Sequence, residues 1–198
     1  MTRSSQNSLL KILEEPPEKT ILVLITHRAG ALLPTVYSRC VHLPFQALSN
    51  DLILPALVKM GVGSHDQALI TEMAGGSLGK AVDYAVAEHL DIIRSSFLPF
   101  ESWPAFDWGS IQTSADLFGT KGNDDAQRIF SESILWLATS LVLSRHGRID
   151  WINAMIDRLS LEQRLALYDR VQTHLQTCQN GNLDKRFLIM GAYMAFEA

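Results

Sequence analysis

Two apolar periods alternate along this chain. Between Thr20 and Thr26 every position is apolar (Ile21-Leu22-Val23-Leu24-Ile25). Such a run is how a strand reads when both its faces are buried, as in a parallel sheet. Val41-His42-Leu43 is a second, shorter strand candidate. Two short strands cannot stand alone, because their edges and faces need cover. No further strand pattern follows. The expectation is therefore that the sheet partners lie upstream of Met1, and that the chain is the C-terminal part of a longer polypeptide.

Elsewhere the spacing is helical. Ser4 or Ser5 opens a helix to about Glu15, and Pro16-Pro17 stops it, since proline has no N–H to donate and restricts the residue before it. Ser49 opens a segment from Asp51 to Met60 that contains Pro55. Ser64-His65-Asp66-Gln67 has capping-box spacing and predicts a helix to about Ala74. Ser77, after Gly75-Gly76, predicts a third helix to about Glu88, so that three short helices form a small module. One helix is expected from His89 to Phe97, and the Pro-interrupted LPFESWPAFDW stretch reads as loop with short helical turns. A long helix runs from Asp124 to about Ser144, with Ile129, Phe130, Ile134, Leu137 and Leu141 on a broad apolar face. A shorter one covers Ile149 to Leu159. Ser160-Leu161-Glu162-Gln163 repeats the capping-box spacing and starts a helix to about Cys178. Asn180-Gly181-Asn182 breaks it, and a last helix begins near Asp184.

Composition narrows the class without deciding it. The 198 residues are 47% hydrophobic and 19% charged, with 17 Lys+Arg against 21 Asp+Glu and a formal charge of −4. A globular protein follows, and one with no global positive field for nucleic acid. The two cysteines, Cys40 and Cys178, lie far apart and signal neither a zinc site nor a disulfide framework. With no apolar signal core at the N-terminus and no apolar window long enough for a bilayer, a cytoplasmic location is expected, with no membrane partner.

Motifs that carry catalysis are missing. There is no GxxxxGK[ST] phosphate loop, GxGxxG or HExxH. The six histidines (His27, His42, His65, His89, His146 and His174) show no paired metal spacing, so no metal is expected. Carboxylate pairs such as Glu14-Glu15 and Asp124-Asp125 fall at helix ends and read as dipole compensation and solvation. Two residues merit weighing. Thr26 ends the apolar strand, where open parallel sheets bind ligands, yet a threonine there more often satisfies a backbone group. Arg39 follows a turn opened by Pro34, where a guanidinium fork suits phosphate, yet a surface salt bridge is the commoner use.

The run SSQNSLLKILEEPPEKTILVLITHRAGALLPTVYSRC resembles bacterial clamp-loader subunits of the AAA+ class: a helix ending in LLK-x-LEEPP, a hydrophobic strand ending in Thr, then LLPT-x-x-SRC. Later stretches, AGGSLGKAV and NGNLDKRF, fit more loosely. The resemblance implies a mainly α chain: residues 1–45 a remnant of an AAA+ α/β nucleotide-binding domain, 46–88 a three-helix lid, and 89–198 a helical collar. It implies that Thr26 holds the sensor-1 position and that Ser38-Arg39-Cys40 is the SRC motif, whose Arg39 reaches the ATP of a neighbouring subunit as an arginine finger. Walker A and B elements are absent, so the chain itself is expected to bind no cofactor, with ATP and Mg²⁺ on neighbouring subunits and no independent catalysis. Implied partners are the tau/gamma motor and delta subunits, the sliding clamp, and primed DNA through the assembled complex of a DNA-directed DNA polymerase holoenzyme. One departure selects among subunit types. Motor subunits carry an Arg in a pattern like GSLRDA, and here Gly79 stands at that place, followed by Lys80. This favours the delta-prime type over a tau/gamma motor fragment. A purely structural oligomerisation module is the other alternative. The collar is expected to assemble with partners through large groups such as Trp136, Phe187, Met190, Tyr193 and Phe196, unless these fill its own core.

Overall fold

A computed structural model describes residues 3–26, 28–120, 122–147, 149–181 and 184–197. The chain divides into two compact units, Met1–Gln46 and Ala47–Ala198. It is mainly α, as the periodicity predicts.

In the first unit, α1 spans Arg3–Glu14 and a four-residue helix, α2, spans Pro34–Tyr37. The segment between them corrects the strand reading. No strand is present among the described residues, and neither residues 20–26 nor 41–43 form a ladder. Ile21, Val23 and Ile25 are 88%, 77% and 88% exposed, and Val41 and Leu43 are exposed as well. A strand is held by hydrogen bonds to a neighbouring strand, and an apolar pattern without such a neighbour leaves only extended backbone.

The second unit is all helix. It comprises α3 (Asn50–Lys59), α4 (Ser64–Ala74), α5 (Leu78–Tyr84), α6 (Ala87–Phe97), α7 (Trp108–Phe118), α8 (Asp124–Val142), α9 (Asp150–Arg158), α10 (Leu161–Asn180) and α11 (Lys185–Met194). Pro55 is accommodated inside α3. Ser77 caps α5 as expected, its hydroxyl accepting from Lys80 N–H at 3.3 Å. Ser160 and Gln163 form the reciprocal capping box of α10. The same spacing at Ser64 does not cap. Gly63 is the N-cap of α4, Ser64 already lies inside the helix, and the Gln67 amide donates to Val62 O at 2.7 Å. The boundary expected at Glu88-His89 falls earlier: α5 ends at Tyr84 and α6 begins at Ala87. An eleven-residue helix, α7, begins at the end of the stretch read as loop and runs through residues for which no element was expected; Asp107 caps it by accepting from Gly109 N–H at 3.0 Å.

The core is built around α8, which packs on α6, α7, α9, α10 and α11. Its Ile129, Phe130, Ile134, Leu137 and Leu141 are all fully buried. An aromatic cluster closes one side: the Phe100 ring meets Phe196 edge-on at 4.7 Å and stacks on Trp151 at 5.7 Å. Tyr193 lies within it, and its hydroxyl donates to Ser96 O at 2.9 Å. Tyr193 and Phe196 are therefore core residues of this chain and are not available to a partner. Trp136 and Met190 are half-buried against the same core, while Phe187 is exposed.

Two polar links tie the smaller helices down. Arg128 on α8 donates to Asp83 on α5 at 2.9 Å, and the Tyr84 hydroxyl bonds Glu132. Asp66, buried in the first turn of α4, takes a two-pronged bond from Arg94 on α6, Nη2 to Oδ2 at 2.6 Å and Nε to Oδ1 at 3.2 Å. Paired hydrogen bonds of this kind are the stronger sort, but the Arg94 side chain is 52% exposed, which weakens the Coulombic part. Replacing Arg94 by methionine should cost about 1–2 kcal/mol, mostly because Asp66 stays buried without its donor. In a double-mutant cycle, Arg94→Met on an Asp66→Asn background should cost clearly less. Equal costs on the two backgrounds, measured by urea denaturation, would show that the pair is not what joins α4 to α6.

One close approach depends on glycine. Gly76 has φ of +83°, and a Cβ there would lie 2.5 Å from Ala47 Cβ. Its carbonyl accepts from Leu48 N–H at 2.8 Å, so the start of the unit is pinned to the α4–α5 turn.

Candidate functional site

The strongest candidate chemistry lies in the first unit, between Thr26 and Cys40. Leu33 precedes α2 in an extended conformation and Pro34 occupies its first turn, where a missing N–H costs nothing. Val36 is buried and anchors the turn. Ser38 N–H bonds Pro34 O at 2.9 Å, and Arg39 N–H bonds Val36 O at 3.2 Å, so the backbone through Ser38-Arg39 is fixed. Just beyond, the rings of Tyr37 and His42 stack with centroids 3.8 Å apart.

Arg39 emerges from this turn into solvent. Its Nη1 donates to Thr35 O at 2.9 Å, and its Nη2 lies 2.7 Å from Glu14 Oε1. The side chains of Arg39 and Glu14 are 37% and 50% exposed. Two of the five guanidinium N–H groups are thus engaged. Such a group can donate a pair of hydrogen bonds to a phosphate or carboxylate brought to it. The Ser38 hydroxyl only reaches Thr35 O, at 3.4 Å, and Cys40 is a half-buried free thiol.

Thr26 is exposed, and its Oγ1 accepts from Arg28 N–H at 3.1 Å. This is the local backbone use that the residue type favours. Thr26 and Arg39 make no contact with each other among the bonds recorded for either side chain. His27 lies outside the described residues.

Glu14 is the residue that reading by spacing missed. It is the last residue of α1, where the helix dipole disfavours an anion, so dipole compensation does not account for it. Its partner is a cation far along the chain, and no periodicity links the two.

The second unit offers less. Cys178 Sγ lies 3.7 Å from His174 Nε2, a spacing that suggests a thiol activated by a base. That nitrogen is also 2.9 Å from Leu188 O. A carbonyl only accepts, so Nε2 carries the proton and cannot take one from sulfur. Burial pushes the thiol pKa up, which keeps it protonated. A pocket of about 280 Å³ between α8 and α10–α11 is lined by groups of both signs, among them Asp124, Arg128, Glu132 and Lys185, and Arg128 is already committed to Asp83. Gly79 and Lys80 lie in the first turn of α5, where no guanidinium is present at the Gly79 position. Among the described residues no three His, Cys, Asp or Glu side chains gather as a metal site, and no helix is long and apolar enough to cross a membrane.

Comparison with known proteins bears on the first unit above all. Residues 1–49 match a family model described as DNA polymerase III, delta subunit. The chain is 42% identical over 83 residues to DNA polymerase III subunit delta' of Bacillus subtilis (strain 168), which covers 42% of this chain and 25% of that protein. It is 40% identical over 81 residues to the delta' subunit of Pseudomonas aeruginosa, covering 39% of this chain and 24% of that protein. A gamma/tau subunit of Mycobacterium tuberculosis (strain ATCC 25618 / H37Rv) is 30% identical over 108 residues, 44% of this chain and 19% of that protein. The chain thus spans about a quarter or less of the length of these relatives. The delta-prime-like character read from the sequence is matched by the family model and by relatives that carry that name.

Proposed function

We propose that this delta-prime-like chain acts as a clamp-loader subunit, with Arg39 serving as an arginine finger for ATP held by a neighbouring subunit. The observation that carries the reading is the placement of Arg39: an exposed guanidinium on a hydrogen-bonded turn, inside the SRC motif and inside the matched residues 1–49. Residues 1–45 are then the end of an AAA+ nucleotide-binding domain, with Thr26 at sensor 1 and Ser38 and Cys40 framing the finger. Residues 46–88 form the lid and 89–198 the collar. The partners are the motor and delta subunits, and through them the sliding clamp and primed DNA. ATP and Mg²⁺ belong to the neighbours.

The mechanism asked of Arg39 is electrostatic. Charge builds on the oxygens of a transferring phosphoryl, and a guanidinium placed against them lowers that barrier without taking part in bond making. Gly79, at the place where a motor subunit has its Arg, favours the delta-prime reading over the tau/gamma one. The salt bridge to Glu14 favours a second reading, in which Arg39 is a surface ion pair and the chain only an assembly module.

Arg39→Ala and Arg39→Lys separate the two. Neither should shift stability by more than about 0.5 kcal/mol. Clamp- and DNA-stimulated ATP hydrolysis by complexes rebuilt with each variant should fall in part, because one of several ATP sites loses a group that contributes on the order of 10³-fold elsewhere. Lys should behave like Ala, since it keeps the charge and loses the planar fork. Complexes that assemble and load clamps at the unmodified rate with both variants would establish the assembly-module reading instead.

A further inference from the structure

We infer that Glu14 is a positioning residue for Arg39: its carboxylate holds the guanidinium at the rim of the turn until a phosphate takes its place. The inference rests on the finger reading above and adds a residue to it. Arg39 Nη2 is 2.7 Å from Glu14 Oε1, and Nη1 is fixed by Thr35 O at 2.9 Å. Glu14 is thus the one charged group bonded to Arg39 among the described residues. A phosphate oxygen and a carboxylate oxygen seek the same N–H edge and carry the same sign of charge. The two therefore compete for the Nη2 edge and repel each other, and engagement of a phosphate at that edge is an exchange, carboxylate for phosphate.

The surroundings make Glu14 a temporary partner. It ends α1, at the negative end of the helix dipole, with Glu15 next to it and Glu18 three residues beyond Glu15. This is an anionic edge, and a triphosphate does not settle against it. Arg39 must carry its fork away from that edge to meet one. Both side chains are well exposed, so the bond is of the weak surface kind that solvent and salt loosen. It is strong enough to narrow the rotamers of a long side chain and weak enough to be exchanged.

Removing the competitor should tighten the capture of phosphate. In complexes rebuilt with Glu14→Gln, the KM for ATP should fall about two- to fivefold, the range that a surface ion pair supplies. The maximal rate should hold or fall slightly, since the fork meets the phosphoryl group equally once it has moved. Glu15→Gln is the control: it removes the same charge one residue away, from a side chain that does not touch Arg39, and should leave KM near the unmodified value. On the isolated chain, with arginine guanidinium nitrogens labelled and the Arg39 signal assigned by its loss in Arg39→Lys, a titration with inorganic pyrophosphate should shift that signal at two- to fivefold lower concentration in Glu14→Gln. Circular dichroism confirms that each variant is folded. If Arg39→Ala leaves hydrolysis by the complex unchanged, the finger reading falls and this inference falls with it. If Arg39→Ala slows hydrolysis while Glu14→Gln matches the unmodified protein in both KM and the pyrophosphate titration, or if Glu15→Gln has the same effect as Glu14→Gln, the finger stands and the role given to Glu14 is wrong.

Discussion

Replacing Phe130 by alanine lowers the stability of residues 47–198 by about 3–5 kcal/mol. Phe130 is fully buried in the middle of α8. Its ring lies 6.3 Å from that of Phe118 and 5.6 Å from that of Tyr193, so one side chain meets α7 and α11 together. Truncation removes the transfer free energy of a ring and leaves a cavity that rigid neighbouring aromatics cannot collapse into. Phe130→Leu keeps most of the volume and should cost about 1–1.5 kcal/mol. Urea denaturation measures both as shifts in midpoint at constant slope. A loss below about 1 kcal/mol for the alanine variant would contradict α8 as the centre of the core.

The second large effect is alkaline. Tyr84 and Tyr193 both have their pKa pushed far above the ordinary tyrosine value, Tyr84 by burial and then by its bond to Glu132, Tyr193 by burial alone. Raised folded-state values mean that the native state keeps protons that the unfolded chain gives up. The stabilisation is fully present below the unfolded value near 10 and is lost as pH rises beyond it. Each tyrosine should contribute a slope of about 1.4 kcal/mol per pH unit there, and the two together about twice that. Tyr84→Phe or Tyr193→Phe should each remove half of the slope, at a cost of about 1 kcal/mol at neutral pH for the lost hydrogen bond. Stability followed by denaturant titration at rising pH tests this. A slope unchanged in both variants would assign the alkaline loss to other groups.

The helices were largely legible from the sequence where an apolar face recurs over several turns, as in α8, and where a capping side chain marks the start, as at Ser77 and Ser160. α7 was hidden because its buried Ile111, Ala115 and Phe118 are interleaved with Gly109, Ser110, Thr113 and Ser114, which are weak helix formers. Ser64 carries the right spacing for a cap but lies one residue too far inside, since Gly63 takes the extended conformation first. The break between α5 and α6 falls at Ala85-Val86, before the expected Glu88-His89, with no Gly or Pro to fix its place. Thr20–Thr26 has the composition of a strand, but a strand is a property of two segments, and composition reports one. The candidate site divides in the same way. Arg39 and its turn can be read from Pro34 and SRC, whereas Glu14 becomes visible only when the chain has folded back on itself.

In residues Met1–Gln46, Val36 is the one hydrophobic side chain that is buried among the described residues. A segment with so little apolar surface to lose can release its amides to hydrogen exchange through local opening, at a free energy close to zero. The amides of α8 exchange only when the helical unit as a whole comes apart. The chain therefore consists of two cooperative units of very different protection, and a denaturation curve for it reports almost entirely on Ala47–Ala198. Arg39 belongs to the unit that such a curve does not see. Changes there leave the melting of the protein untouched, and exchange of the amides around Ser38-Arg39-Cys40 is the measurement in which order gained on meeting a partner would register.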